Sequence, residues 1–94
     1  MFMHLVAVEY LGEYRVRLKF SDGINKEVDL SAELYGEVFE PLRVVEQFRQ
    51  FYLNPETGTL EWPTGADFAP EYLYEIGVPV APLGWQPEVA VATA

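Results

Sequence analysis

Apolar and polar positions alternate through the first third of the chain. Residues 4–10 put Val6, Val8 and Tyr10 on one face, and residues 14–20 do the same with Tyr14, Val16, Leu18 and Phe20. Residues 24–30 group Ile24, Val28 and Leu30. A period of two marks half-buried strands. The connections must keep those faces aligned, because a slip of one residue turns every side chain over. A loop Ser21-Asp22-Gly23 does so: it sets Phe20 opposite Ile24, Val16 opposite Val28 and Tyr14 opposite Leu30, with Gly23 in the left-handed position such loops require. A shorter Asp22-Gly23 turn would oppose Arg17 to Val28 and mix the faces. By the same reasoning Leu11-Gly12-Glu13 pairs Tyr10 with Tyr14, Val8 with Val16 and Val6 with Leu18. The prediction is a three-stranded antiparallel meander with residues 14–20 in the centre.

Its other face is polar. Arg15, Arg17 and Lys19 form a row, with Arg17 facing Glu27 and Arg15 between Glu9 and Asp29. Such cross-strand pairs contribute about 0.2–1 kcal/mol each. Lys26 is the misfit on the apolar face and is expected to snorkel outward from the hairpin end.

Short helices and a second hairpin follow. Ser31 and Gly36 bracket one helical turn as cap and stop. Pro41 opens a helix over 41–49, with Leu42, Val45 and Phe48 at helical spacing. Residues 51–53 and 60–62 flank a four-residue loop, Pro55 to Gly58, that pairs Leu53 with Leu60 and Phe51 with Trp62. Residues 63–69 read as a loop. Pro70 then starts a helix to about Glu75, and Ala69, preceding a proline, keeps it from beginning earlier. From Gly77 the chain turns Pro- and Gly-rich without a period. The organisation is one α+β domain over residues 1–76 and an extended or disordered tail over 77–94.

Composition narrows the chemistry. At 94 residues the chain suffices for one domain, and half of it is apolar. With no cysteine, disulfides, thiolate metal sites and a cysteine nucleophile are excluded. The sole histidine, His4, reads as a surface or edge residue, so no zinc set or Ser-His-Asp triad is expected. The glycines are isolated turn residues, not a phosphate loop. Catalytic residues, metal ligands and cofactors are therefore all expected to be none. The start has no basic region ahead of an apolar run, so no secretory signal is expected, and no apolar run could span a bilayer. A cytoplasmic location away from membranes is the expectation. Six basic against fifteen acidic residues give a net charge of −9, which repels phosphate backbones and attracts basic surfaces. Direct nucleic-acid binding is not expected, and the Arg15-Arg17-Lys19 row reads as an ion ladder.

The most distinctive stretch runs from Trp62 to Tyr74. Trp62 ends a strand, Gly65 permits a tight turn, and Asp67 is placed to cap backbone N–H groups as an Asx turn. A plain structural role is a strand-to-helix corner folded onto the core. The functional role is a protein contact, since Tyr and Trp are favoured interface anchors. The contact candidates are Trp62, Asp67, Phe68, Tyr72 and Tyr74, with Trp85 in the tail.

The order Phe20-Ser-Asp-Gly, Val28-Asp-Leu30, Phe39-Glu-Pro-Leu42, Phe48 and then Leu60-Glu-Trp-Pro-Thr-Gly-Ala-Asp67-Phe-Ala-Pro-Glu-Tyr-Leu-Tyr74 resembles a small bacterial family catalogued as domain of unknown function 2442. The likeness covers about residues 4–76. It implies a small α+β domain, often one half of a two-gene pair of toxin–antitoxin type, and it carries no catalytic residues. Some relatives add a DNA-binding helix-turn-helix, for which residues 77–94 are too short and too Pro-rich. The expected function is a non-catalytic protein-binding module, an antitoxin-like or regulatory partner of a small basic protein. The alternatives are a small enzyme using carboxylates such as Asp67 and Glu71, and a homodimer joined through a sheet edge.

Overall fold

The computed structural model describes residues 3–80. It has α+β architecture: two antiparallel sheets and a few short helices. The first sheet contains β1 (Leu5–Gly12), β2 (Arg15–Phe20), β3 (Asn25–Asp29) and β7 (Val78–Pro79), in the order β1-β2-β3-β7. The second contains β4 (Tyr52–Asn54), β5 (Thr59–Glu61) and β6 (Asp67–Phe68), with β5 in the middle.

Val16, Leu18 and Phe20 are fully buried, whereas Arg15, Arg17 and Lys19 line the outer face. The β2–β3 register sets Val16 opposite Val28 and Arg17 opposite Glu27, and Phe20 N–H donates to Ile24 O at 3.0 Å across the Ser21-Asp22-Gly23 loop. Gly23 has φ 90°, the left-handed conformation the loop demands. On the outer face Arg17 bridges Glu9 at 3.4 Å and Glu27 at 3.1 Å, and Arg15 reaches the second oxygen of Glu27 at 3.1 Å. Asp29 is spent elsewhere, accepting Ser31 N–H at 2.9 Å.

The first hairpin departs from its expected register. Tyr10 lies opposite Val16 and Val8 opposite Leu18, two residues from the predicted pairing, with irregularities at Val6 and Leu11. The turn is made by Glu13 and Tyr14, and Glu13 has φ 48°. Tyr14 is held there: its O–H donates to Arg43 O, its ring packs edge-on to Phe48 at 5.3 Å, and its carbonyl accepts Leu30 N–H at 2.8 Å. A shift of two preserves face parity, so Val8 and Tyr10 still pack against the core. The bulge at Val6 is what changes the surface. Val6 is 45% exposed instead of facing the core, and Leu5 is buried in its place opposite Phe20.

Two helical expectations and one side-chain expectation need correction. The first turn is a 3₁₀ segment, Ser31–Glu33, capped by the backbone of Leu30 rather than by the Ser31 side chain. The helix expected over 41–49 is two pieces, a 3₁₀ turn Glu40–Arg43 and α1 (Val45–Phe48). They are divided at Val44, whose φ −83° and ψ 121° are extended; the kink lets both Leu42 and Phe48 reach the core. Lys26 does not snorkel. It is 9% exposed under α2 (Pro70–Ile76), its Nζ donates to Tyr74 O at 2.5 Å, and it sits 3.7 Å from the centre of the Tyr74 ring. The buried ammonium is thus compensated by a helix-end carbonyl and an aromatic face.

The second hairpin has the expected pairing, Leu53 opposite Leu60, and gains a third strand. Gly65 N–H donates to Trp62 O and Trp62 N–H to Ala66 O, both at 3.0 Å. Trp62-Pro63-Thr64-Gly65-Ala66 therefore repeats the loop geometry of Phe20-Ser21-Asp22-Gly23-Ile24, with Gly65 at φ 97°. What reads as a loop is a second three-residue hairpin, and it delivers β6 directly to α2. Val78 and Pro79, expected at the start of a tail, pair with β3, and Val80 N–H donates to Asn25 O at 3.0 Å. The remainder of that tail, residues 81–94, lies outside the described residues.

Candidate functional site

An aromatic chain links the core to the surface at the corner between β5 and α2. Phe48 is its hub, 5.3 Å from Tyr14, 6.3 Å from Tyr10 and 5.6 Å from Trp62. Trp62 is 1% exposed and donates its indole N–H to Phe48 O at 2.7 Å. Phe68 packs edge-on to Trp62 at 5.8 Å, and Phe39 lies 4.9 Å from Phe68. Tyr72 stacks on Phe68 at 6.2 Å with an interplanar angle of 12°. Burial falls along this series, so Tyr72 emerges 39% exposed with its ring still backed by the core.

Around Tyr72 the surface is apolar at the centre and acidic at the margin. Tyr35 is 66% exposed and close enough to interact electrically with Tyr72. Val38 is exposed and tied to the corner by Thr64, whose hydroxyl donates to Val38 O at 3.2 Å. Glu33 accepts the Tyr72 O–H at 2.5 Å, and Glu75 also acts on that phenol. Glu37 and Glu40 flank Val38 and Phe39 in sequence, and both are exposed. No Lys or Arg occurs from residue 27 to residue 42, or after Gln50. The Glu33 carboxylate, with further contributions from burial and neighbouring charge, pushes the Tyr72 phenol up to about 12. It stays a protonated donor, which fixes the ring's orientation.

A cleft of about 660 Å³ opens on the other side of the same corner. Its walls are Met3 and His4 at the chain's start, Pro55 to Thr59 of the β4–β5 loop, and Asp67, Ala69, Pro70 and Glu71. The loop is fastened to β1 by Leu5 N–H donating to Gly58 O at 2.9 Å. Gly58, at φ 70°, is packed so closely that a Cβ there would lie 2.1 Å from the His4 Cβ. The loop is closed internally by Gly58 N–H to Asn54 O and by Glu56 N–H to the Asn54 side chain.

The contact residues predicted from sequence divide sharply. Tyr72 is on the surface, and Asp67 is exposed on the cleft wall. Trp62 and Phe68 are buried and act as the support beneath Tyr72. Tyr74 faces the first sheet, edge-on to Phe20 at 4.9 Å, with its O–H donated to Asp22 at 2.8 Å. Asp67 does not cap α2; the cap is Ala69, with no side-chain bond. Trp85 lies outside the described residues. Tyr35, Val38 and Phe39 are the members of the surface that the corner's own sequence does not reveal. Among the described residues no group of His, Asp and Glu is placed to hold a metal ion, and no helix is long and apolar enough to cross a membrane.

No curated protein and no solved structure matches the chain. The family described as protein of unknown function, DUF2442, matches residues 5–79, from the first strand through the last, and the chain belongs to that family.

Proposed function

We propose that this chain is a non-catalytic protein-binding module whose partner is a small basic protein. The observation that carries the reading is Tyr72: an exposed ring, oriented by Glu33 and stacked on buried Phe68, with exposed Tyr35 close enough to act on it. A rigid aromatic anchor loses little conformational entropy on binding, and the carboxylates around it favour a cationic partner and fast encounter. An antitoxin-like or regulatory role in the cytoplasm follows from the two-gene arrangement implied by the family resemblance. Co-purification from the native host tests the reading. Tagged wild-type chain should retain a basic protein that Tyr35→Ala/Tyr72→Ala chain loses. Retention by both, or recovery of the lone chain only, counts against it.

The cleft beside Asp67 and Glu71 favours a second reading, a small carboxylate-using enzyme. Two carboxylic acids flanking a cleft are the equipment of acid–base glycoside hydrolysis. Turnover of chromogenic glycosides, lost in Asp67→Asn or Glu71→Gln, would support it. No turnover, or turnover unchanged in both variants, removes it.

A further inference from the structure

We infer that the cleft between the β4–β5 loop and the β6–α2 corner is a receptor for an arginine side chain presented by a peptide segment of the partner. The inference deepens the protein-binding reading and rests on it. Three carboxylates, Glu56, Asp67 and Glu71, stand on the cleft wall with no Lys or Arg among its lining residues. The rest of the wall is Met3, His4, Pro55, Ala69 and Pro70 with the small residues Thr57, Gly58 and Thr59. That mixture suits one chemistry. A guanidinium is planar, weakly hydrated and able to bond carboxylates in a fork, while its three-carbon stem covers apolar surface. An ammonium is more strongly hydrated and would lose more on entering a cleft edged by proline and methionine. An anion would meet three like charges.

The volume, about 660 Å³, lies within the range of roughly 300–1,000 Å³ usual for ligand pockets, room for one long side chain with the backbone on either side of it. The site is also preformed. Its floor is fixed by the Leu5–Gly58 bond and the close approach of Gly58 to His4, and its far wall by the proline that starts α2. Cleft and aromatic surface are built on one segment, Asp67, Ala69, Pro70 and Glu71 lining the first and Phe68 and Tyr72 forming the second.

The test is an NMR titration of the full ¹⁵N-labelled chain with an acetylated, amidated Gly-Gly-Arg-Gly-Gly peptide, its citrulline isostere and its lysine counterpart. The arginine peptide should move the amide signals of Thr57, Gly58, Thr59, Asp67 and Glu71. Asp67→Asn and Glu71→Gln, both at exposed positions, should each weaken it by about fivefold while leaving the spectrum dispersed. Glu46→Gln, an exposed carboxylate that does not line the cleft, should leave peptide affinity unchanged. Equal binding of the citrulline or lysine peptide would overturn the assignment, as would shifts centred on Glu33, Glu37 and Glu40. If the arginine peptide fails while Tyr35→Ala/Tyr72→Ala still releases the co-purified protein, only this inference falls. If the peptide binds but that variant keeps the protein, the aromatic surface falls instead.

Discussion

Replacing Gly58 with alanine should damage this protein far more than replacing any turn glycine, because Gly58 is where the two sheets meet. Three effects combine there. A non-glycine residue at φ 70° costs about 1–2 kcal/mol in backbone strain. A Cβ at 2.1 Å from the His4 Cβ, and 3.0 Å from its Cα, must push the chain's start away, an overpacking cost of about 1–3 kcal/mol. If the segments separate, the Leu5 N–H loses Gly58 O, a further cost of about 1–3 kcal/mol for an amide left unpaired beside the core. Together these come to about 3–8 kcal/mol, against a total stability of roughly 5–14 kcal/mol for a chain of 94 residues. Gly65→Ala is the internal control. Gly65 has φ 97° with nothing within 4 Å, so only the backbone strain of about 1–2 kcal/mol applies. Urea melts followed by tryptophan fluorescence should place the Gly58→Ala midpoint about 2 M below wild type and the Gly65→Ala midpoint less than 1 M below, at an m of about 2 kcal/mol/M. His4→Gly combined with Gly58→Ala should recover part of the loss, seen as a favourable coupling in a double-mutant cycle. Equal midpoints for the two alanine variants, or additivity in the cycle, would refute the close packing of the β4–β5 loop on His4.

Trp62→Phe removes the bond to Phe48 O and the support for Phe68, and should cost about 2–4 kcal/mol by the same melts, followed by circular dichroism. Lys26→Met keeps the buried stem and should cost less than about 1.5 kcal/mol, while Lys26→Ala should cost about 2–3 kcal/mol; equal, large costs for both would mean that the charge, not the packing, holds α2 on the sheet. Backbone N–H donors, of Ile24 to Asp22 and of Ser31 to Asp29, hold both carboxyls below the usual aspartate range, helped at Asp22 by Tyr74. Their folded values are depressed, so the stability they give is present above about pH 4 and lost as pH falls through the folded values; Asp22→Ala and Asp29→Ala should flatten the acid limb of stability against pH. Tyr72 runs the other way. Its folded value, about 12, is raised, so its contribution is complete below about pH 10 and lost as pH rises through 12. Glu33→Gln should bring the Tyr72 ring-carbon titration down towards about 10.

The residue pattern carried much of the fold because strand parity is a local property. Val16, Leu18 and Phe20 against Arg15, Arg17 and Lys19 decide which way β2 faces, and Gly23 decides the loop that keeps β3 in step. The first hairpin was readable in parity but not in register. Its register is set by Tyr14 bonding to Arg43 and packing on Phe48, partners about thirty residues away. Strand β6 leaves only a turn signal in the sequence, since Pro63-Thr64-Gly65 has the spacing of Ser21-Asp22-Gly23 but a strand of two residues shows no alternation. At the site, Tyr72 and Asp67 stood out from their own segment. Tyr35, Val38 and Phe39 did not, because Phe39–Phe68 packing and the Thr64–Val38 bond bring them there from a stretch without period. Trp62 misled for a physical reason: a large amphipathic ring suits an interface, but its N–H finds an internal carbonyl and the ring goes inward.

Isothermal titration of the co-purified basic protein into wild-type chain and into Tyr35→Ala/Tyr72→Ala chain, at low and physiological salt, bears on the central claim most directly. An anchored aromatic surface within an acidic margin predicts that the double substitution lowers affinity by at least about thirtyfold, the loss of a hot spot of about 2 kcal/mol, at either salt concentration. Salt alone should weaken the wild-type complex more modestly. Affinity unchanged by the substitution, and governed by salt alone, would mean that charge attracts the partner but Tyr72 does not hold it.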